Sequence, residues 1–390
     1  MKKAASGSGS IRKRPDGTWE GRYYDPSGKR HSVYGKTQKE VVERIREIEQ
    51  QLSNGNYTAP NKITVEEWMN RWLESYVSMQ DGHPLTPKTY RTRAKHIIDR
   101  LGRIRLSELK PVTVQNFYGE LTDKDGLSPK TVRCIHGVFH AALRQAVLNR
   151  LISENPAENC VLRKAQDKEI VPLTEEQVRQ LLAELEKGEP LKNMILLALF
   201  TGMREAEICG LSWDSVNMER AALTVKQQLQ KVPGADGRSV FRINPFTKNG
   251  KSRILTLPDM VLDILREEQR KQAEAQEYAG SAWDNPWNLV FTDAIGGYIC
   301  PQTVLKHFKA VCKKIGAENA RFHDLRHTYA VLSLQEGDSP KTVQENLGHA
   351  TAAFTLDRYG HASEKMKRDS ADRMQKFYER TKPESEDASD

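Results

Sequence analysis

The chain lacks the features that mark membrane-spanning and secreted proteins. Its longest apolar run, residues 194–200, is far shorter than the roughly 20 residues of a membrane span. Lys2 and Lys3 precede a Ser/Gly stretch instead of the apolar core of a signal peptide. The five cysteines are odd in number and show no C-x-x-C spacing. We therefore expect a cytoplasmic protein with reduced, mostly buried thiols.

Acidic residues are too few to balance the basic ones. The 390 residues include 60 Lys and Arg against 52 Asp and Glu, which gives a net charge of +8. Residues 1–39 hold ten Lys/Arg against three Asp/Glu (net +7), and residues 61–165 hold 17 against 11 (net +6). This excess favours a polyanionic partner, although basic enzymes without a nucleic-acid role also exist.

The first 60 residues predict a small three-stranded sheet followed by a helix. Two closely spaced turns join three β-prone runs, and Thr37 fits the N-cap of a helix whose apolar stripe runs from Val41 to Leu52. The candidate DNA-binding side chains of this sheet are Arg12, Arg14, Trp19, Arg22 and Tyr24. Such a sheet can lie in a DNA major groove; a solvated basic face is the alternative.

A helical domain is predicted over residues 61–165. Thr64 and Ser128 fit N-caps, Pro87, Pro111 and Pro129 fit first helical positions, and Trp68, Trp72, Tyr76 and Met79 form an apolar stripe. The candidate phosphate contacts are Arg91, Arg93, Lys95, Lys130 and Arg133.

Residues 166–381 predict a mixed α/β domain. Thr174 and Gln177 fit a capping box at its start, and three β-prone runs occupy residues 221–232, 239–246 and 252–258. A last helix is predicted over residues 363–378. The acidic end, residues 382–390, predicts disorder. The fold class is therefore multidomain and mainly α, with small β elements.

Five strings in this last domain hold side chains suited to a phosphodiester. They are TGMREAEICGLSW (201–213), TKNGKSRILTLP (247–258), HDLRHT (323–328), LGHA (347–350) and LDRYGH (356–361). Arg204 has the planar fork that matches the non-bridging oxygens of a phosphate, and Glu207 lies one helical turn away, where it can orient Arg204. In isolation, a surface arginine is the commoner reading of Arg204.

Lys248 and Lys251 share a glycine-containing turn between two β-prone runs. A lysine beside a phosphate can protonate a departing 5′ oxygen, and Lys248 is the first candidate with Lys251 as its rival. A solvated charge is the alternative for either lysine.

His323 and Arg326 lie three residues apart, so on a helix they share a face. Neutral His323 can accept a proton, and Arg326 can be a second phosphate clamp. His327 faces elsewhere, which favours a structural role. His349 ends the string Leu-Gly-His, at a predicted helix terminus.

Tyr359 is the one nucleophile among these residues. Its hydroxyl has a reference pKa near 10, so attack at neutral pH requires a base and cationic surroundings. A metal site built from His323, His327, His349 and His361 is the competing interpretation, and it is disfavoured because no Cys or carboxylate lies at ligand spacing.

The order Arg204, Lys248, His323-x-x-Arg326, His349 and Tyr359 resembles the catalytic set of the tyrosine recombinase family, also called phage integrases. The resemblance covers residues 170–380, and the two upstream units look like this family's core-binding domain (61–165) and arm-binding domain (1–60). It implies that Arg204 and Arg326 bind the scissile phosphate, that His323 assists deprotonation of Tyr359, that His349 hydrogen-bonds the phosphate and that Lys248 protonates the leaving group.

The same resemblance implies a site-specific recombinase that integrates and excises a phage or conjugative transposon through a 3′-phosphotyrosine intermediate, with no metal and no ATP. Its implied partners are double-stranded DNA at core and arm sites, and three further copies in a tetramer formed by C-terminal segment exchange. A directionality factor and a host DNA-bending protein belong to the same expectation, as does a bacterial, nucleoid-associated location. A type IB topoisomerase and a DNA-binding regulator without activity are the alternatives.

Overall fold

A computed structural model gives the structure of the protein. The described residues are 10–26, 28–53, 62–79, 86–165, 171–234, 238–245, 252–348, 351 and 364–381. The contacts of the chain divide it into two units, residues 1–167 and 168–390. Within the described part, no helix has the length and apolar character needed to cross a membrane. The acidic end predicted to be disordered lies outside the described residues.

The first unit opens with an antiparallel sheet and a helix, as predicted. The elements are β1 (Ile11–Lys13), β2 (Trp19–Tyr24), β3 (Arg30–Gly35) and α1 (Gln38–Ser53). Thr37 Oγ1 accepts a hydrogen bond from the Glu40 backbone N–H at 3.2 Å and so caps α1. Val41 and Ile45 pack on β2 at Gly21, where an added Cβ would lie 2.5 Å from both side chains. The close approach of α1 to this sheet therefore requires glycine at position 21.

Helices make up the rest of the first unit. They are α2 (Val65–Trp72), a π-helical turn (Leu73–Val77), α3 (Thr86–Leu101), a 3₁₀ turn (Leu106–Glu108), α4 (Pro111–Asp123) and α5 (Pro129–Leu148). Thr64 and Glu67 exchange hydrogen bonds in a capping box, and Ser128 Oγ accepts from the Thr131 N–H at 3.2 Å. The apolar stripes of these helices meet in one core that includes Trp68. These contacts confirm the predicted helical architecture.

The apolar stripe of α2 ends earlier than predicted. A π-helical turn follows α2, and its i→i+5 hydrogen bonds widen the turn, which moves later residues out of phase with a 3.6-residue period. Val77 is consequently buried, whereas Met79, which was predicted on the stripe, is 80% exposed.

The described helices of the second unit include one very apolar helix. They are α6 (Glu175–Leu185), α7 (Lys192–Thr201), α8 (Glu205–Cys209), 3₁₀ turns at Trp213–Ser215 and Gly280–Ala282, α9 (Asp259–Ala279), α10 (Pro301–Lys314), α11 (Phe322–Gln335), α12 (Pro340–Leu347) and α13 (Glu364–Thr381). Thr174 and Gln177 form the predicted capping box before α6. The central helix, α7, is buried on almost every side and packs against α9 and α11. The residues on either side of α7 are thereby held in fixed positions.

Two small antiparallel sheets complete the second unit. One has the order β4 (Val216–Asn217), β5 (Ala222–Val225) and β8 (Arg253–Thr256), and the other pairs β6 (Gln228–Pro233) with β7 (Ser239–Asn244). The run predicted as one stretch, residues 221–232, is thus two strands in different sheets. Between them Gln227 Nε2 donates to the Gly210 carbonyl at 2.7 Å, and the chain runs so close to Gly210 that an added Cβ would lie 2.5 Å from the Leu229 nitrogen.

The thiols differ in part from the prediction. All five cysteines are free, but only Cys209 and Cys312 are buried, and Cys134, Cys160 and Cys300 are half-buried. The fold class itself is confirmed: a sheet with one helix, a helical domain and a mixed α/β domain.

Candidate active site

Arg204 lies in the sharp connection between α7 and α8. The apolar α7 ends at Thr201, and Gly202 closes it in the left-handed conformation with φ of 63°. A Cβ at Gly202 would lie 2.6 Å from the side chains of Leu347 and Tyr329, so both backbone conformation and packing require glycine. Arg204 has extended backbone and immediately precedes α8.

Glu207 holds Arg204 in place through two contacts. Its Oε2 accepts from the Arg204 backbone N–H at 2.9 Å, and its Oε1 accepts from Arg204 Nη1 at 2.6 Å. The Glu207 side chain is 1% exposed and that of Arg204 is 22% exposed. The guanidinium of Arg204 therefore reaches solvent from a buried carboxylate anchor.

Arg253, at the start of β8, binds the same carboxylate from a second direction. Its Nη1 donates to Glu207 Oε1 at 3.0 Å and its Nη2 donates to Glu207 Oε2 at 2.7 Å. Desolvation acts to raise the pKa of Glu207, but the hydrogen bonds and charges of Arg253 and then Arg204 outweigh it and hold that pKa at about 2. The carboxylate is therefore ionised at neutral pH.

Sequence reasoning missed Arg253, although a signal was present. In the run 252–258, Leu255 and Leu257 are buried while Ile254 and Thr256 are exposed. Because strand residues alternate between faces, Arg253 falls on the buried side with the two leucines. A charged residue on the buried side of a strand indicates a buried partner.

Arg326 is buried, with 2% of its surface exposed. Its Nη1 donates to the Gly202 carbonyl at 2.7 Å and its Nη2 donates to the Leu347 carbonyl at 2.5 Å. These bonds join the end of α7, just before Arg204, to the end of α12, just before His349. In this structure Arg326 ties the end of α7 to the end of α12.

His323 lies in the first turn of α11, near both arginines. It is exposed, and its ring packs edge-on against buried His327, with ring centroids 4.8 Å apart. Partial desolvation, followed by the charges of Arg326 and Arg204, lowers the pKa of His323 to about 4. At neutral pH the imidazole is therefore uncharged and can accept a proton.

Glu205 is a half-buried acid beside Arg204. One of its carboxylate oxygens is buried without a hydrogen-bond partner among the described residues, and desolvation raises its pKa to about 7. Glu207, two residues further along α8, differs because its arginine partners lower its pKa.

Four of the predicted catalytic candidates, Lys248, Lys251, His349 and Tyr359, lie outside the described residues. Described residues follow or precede some of these candidates in the chain. Strand β8 starts at Arg253, two residues after Lys251, and α12 ends in Gly348, whose φ is 64°. Of the remaining candidates, the structure brings together Arg204, Glu207, His323 and Arg326.

The N-terminal sheet separates one DNA-binding candidate from the others. Arg12, Arg22 and Tyr24 lie on the face opposite α1 by their strand register, and Arg14 reaches this face, its guanidinium carbon 5.4 Å from the Tyr34 ring centroid. Trp19 alternates with them and lies on the α1 side, in phase with Gly21.

Glu20 is the buried centre of the open face of this sheet. It accepts from Arg12 Nε at 2.7 Å, Arg22 Nε at 3.2 Å and Ser32 Oγ at 3.1 Å. The hydrogen bond from Arg12 is the largest of the effects that hold the pKa of Glu20 at about 2. The carboxylate thus orients two arginines on one surface.

The candidate phosphate contacts of the helical domain lie on α3 and α5. Arg91, Lys95, Lys130 and Arg133 are exposed and Arg93 is half-buried. Arg133 Nη2 also donates to the Arg163 carbonyl at 3.2 Å. The two helices pack against each other, so these cations lie on two neighbouring helices.

A metal centre built from three or more His, Cys, Asp or Glu side chains is not found in the described part of the chain. The rival set of four histidines includes His349 and His361, which lie outside that part.

Two family models match the chain. Residues 172–366, half of the sequence, match the phage integrase family, and residues 64–122 match the phage integrase N-terminal SAM-like domain. The first match spans Arg204, Lys248, His323, Arg326 and Tyr359, along with His349.

Three similar proteins illustrate the match. A XerC-like tyrosine recombinase of Caldanaerobacter subterraneus subsp. tengcongensis is 28% identical over 91% of this chain and 94% of its own length. The Tn1549 transposon integrase bound to transposon right-end DNA superposes with a TM-score of 0.66 at 21% identity, covering 80% of this chain and 99% of that one. A lambda integrase tetramer bound to a Holliday junction has a TM-score of 0.55 at 18% identity, covering 91% and 96%. At these identities the two structures show the shared fold.

Proposed function

The chain belongs to the phage integrase family, and we propose that it is a site-specific DNA recombinase that integrates and excises a mobile element by cleaving and rejoining strands through a 3′-phosphotyrosine intermediate. The observation that carries this proposal is the Arg204–Glu207–Arg253 cluster within 3.0 Å contacts, inside the span that matches the family. The partner is double-stranded DNA, as in the integrase complexes of similar fold.

In the proposed cleavage step, Tyr359 Oη attacks the scissile phosphorus and the bond from phosphorus to the 5′ oxygen breaks. His323, uncharged at neutral pH because of its lowered pKa, takes the phenolic proton. Lys248 gives a proton to the departing 5′ oxygen, with Lys251 as its rival. The 5′ hydroxyl of another strand then attacks the phosphotyrosine and reverses the steps, so neither ATP nor a metal ion is consumed.

Arg204 stabilises the charge that develops on the non-bridging oxygens, since a guanidinium aimed at a forming oxyanion lowers the barrier. Its partial exposure above a buried carboxylate supports this role. Arg326 is the second proposed clamp, and His349 is a hydrogen-bond donor to the same phosphate. The two carbonyl bonds of Arg326 give it a second task, because they hold the segments that carry Arg204 and His349.

The two upstream regions are proposed to bind DNA beyond the cleavage point. On the N-terminal sheet, Arg12, Arg14, Arg22 and Tyr24 form the arm-site surface, and Trp19 is left out because it lies on the α1 side. In the helical domain the core-site contacts are Arg91, Arg93, Lys95, Lys130 and Arg133, all on α3 and α5. We propose that the domains end at residues 60, 165 and 381. We also propose that the protein is associated with the bacterial nucleoid.

The active assembly is proposed to be a homotetramer on DNA, formed by exchange of C-terminal segments. Helix α13 has exposed Met374, Phe377 and Tyr378, an apolar surface that a neighbouring copy can cover. A directionality factor and a host DNA-bending protein are proposed as accessory partners.

The test is a suicide substrate, a nicked duplex carrying the element's end, from which the cleaved fragment diffuses away. The wild-type chain should accumulate a covalent protein–DNA adduct and Tyr359→Phe should not, because only the phenol supplies the nucleophile. Formation of the covalent protein–DNA adduct is measured by denaturing gel electrophoresis.

A chelator and a second tyrosine serve as controls. The adduct should form equally with and without chelator, and Tyr278→Phe, at a 94% exposed position, should behave as wild type. An adduct that persists in Tyr359→Phe rules out this nucleophile, and loss of cleavage with chelator points to metal-dependent chemistry.

A further inference from the structure

We propose that Arg253 is a positioning residue that makes Arg204 available to the scissile phosphate; this inference rests on the role of Arg204 in the proposed function. Arg253 does not act on the phosphate itself, since its side chain is 9% exposed and all three of its nitrogens are engaged.

The geometry around Glu207 divides four hydrogen bonds evenly. Each carboxylate oxygen accepts one bond from each arginine: Oε1 from Arg204 Nη1 and Arg253 Nη1, and Oε2 from the Arg204 backbone N–H and Arg253 Nη2. Arg253 occupies the bidentate position that an arginine ordinarily takes on a carboxylate. Arg204 is therefore left with a single guanidinium contact to Glu207, and its other N–H groups stay available to a phosphate.

The net charge of Arg204, Glu207 and Arg253 also leaves Arg204 available to a phosphate. Glu207 and Arg204 alone would form a neutral pair, whose attraction for a phosphate is weak. With Arg253 present, two guanidinium groups share one carboxylate, and the cluster carries one net positive charge. The buried member neutralises Glu207, so the half-exposed Arg204 keeps its charge for the substrate.

Arg253 also connects this cluster to the end of α12. Its Nε donates to the Asn346 carbonyl at 2.7 Å, and its Cδ lies against Gly348, where an added Cβ would be 3.0 Å away. The next residue is His349. In the other direction, Arg253 starts β8 two residues after Lys251. One side chain thus links the segments that carry Arg204, the candidate lysines and His349.

Lysine cannot reproduce this arrangement. An ammonium group is a point charge without the planar fork that spans both carboxylate oxygens, and it cannot also reach the Asn346 carbonyl along the Nε direction. Arg253→Lys should therefore keep the charge and lose most of the positioning.

The experiment measures single-turnover cleavage on two suicide substrates, one with the normal scissile phosphodiester and one with a methylphosphonate at that position. Replacing a charged oxygen by methyl removes the negative charge that Arg204 balances. Arg204→Met and Arg253→Met should each cut cleavage of the phosphodiester by about 100-fold, and both should recover on the methylphosphonate. Arg253→Lys should fall between Arg253→Met and wild type.

Two further variants separate positioning from folding. Arg253→Met/Glu207→Gln returns the cluster to one net positive charge, so it should restore the thermal midpoint and recover part of the phosphodiester cleavage that Arg253→Met loses. Ile254 lies on the other face of the same strand and is 69% exposed. Ile254→Ala should therefore match wild type on both substrates.

The outcomes distinguish the inference from its premise. Recovery of Arg204→Met without recovery of Arg253→Met means that Arg253 acts only on folding, and overturns the inference. Failure of Arg204→Met to recover overturns the phosphate role of Arg204 and the inference with it. An adduct in Tyr359→Phe, run in parallel, overturns the proposed nucleophile alone.

Discussion

At the residue scale, the candidate site is organised by buried ion pairs around one carboxylate. The sequence indicates Arg204, Glu207, His323 and Arg326, because each lies in a short motif. It does not indicate that Arg253 joins them, since that contact links residues 46 positions apart and depends on how β8 approaches α8. The available signal was the alternation of buried and exposed residues along β8. It indicates that Arg253 is on the buried side, but it does not indicate that Glu207 is its partner.

The charge state of His323 gives a prediction for the DNA-free protein. Its desolvation and the adjacent arginines favour the neutral form, so its imidazole should titrate near pH 4 and not near 6.5. The measurement is an NMR pH titration, with the signal assigned by its loss in His323→Gln. Binding of DNA should raise the midpoint, because an anionic phosphate stabilises the imidazolium. A midpoint near 6.5 without DNA would show that the ring is not held in this environment.

Glu205 gives a prediction for stability. Its pKa is raised from 4.5 to about 7 in the folded protein, so the native state is favoured below pH 4.5 and loses that advantage as the pH rises through 7. Glu205→Gln has no such loss, and it should be more stable than wild type by about 1–2 kcal/mol at high pH, after allowance for the exposed part of the side chain.

Urea unfolding of both proteins near pH 5 and near pH 8 checks this expectation, because the gain should be small at the lower value and full at the higher one. Glu175→Gln, on the exposed first turn of α6, is the matched control and should show no such trend. A gain for Glu205→Gln that does not change with pH would mean that burial does not set its pKa.

At the element scale, two helix ends directly precede candidate catalytic residues in the chain. The apolar α7 stops at Gly202 and α12 stops at Gly348, both in the left-handed conformation, and the catalytic candidates follow within two residues. Capping residues were predictable because their hydrogen bonds are local, as at Thr64 and Thr174. The π-helical turn after α2 and the separation of β5 from β6 were not, since neither carries a local capping or turn signal in the sequence.

Helix α13 gives a prediction at this scale. Its exposed apolar side chains are absent from the core clusters of the second unit, so deletion of residues 364–390 should leave the thermal midpoint of the monomer unchanged and reduce tetramer formation on DNA. Tetramer yield is measured by light scattering of the protein–DNA complex. Deletion of residues 382–390 alone is the control, and a full tetramer yield without α13 would exclude segment exchange through this helix.

At the scale of the whole molecule, the chain combines basic regions that we propose to bind DNA with one unit of the phage integrase family. Composition alone indicated the polyanionic partner, and the ordered motifs indicated the family, which the match over residues 172–366 establishes. How the two units are arranged on DNA depends on the substrate as well as on the chain, so no pattern in the sequence could predict it.

The central claim is that Tyr359 becomes bonded to a DNA 3′ phosphate. The direct measurement is mass spectrometry of the covalent adduct after nuclease and trypsin digestion. The account predicts that the peptide of residues 359–365 carries a nucleotide joined through its 3′ phosphate to Tyr359. A nucleotide on another residue, or one joined through a 5′ phosphate, would contradict it.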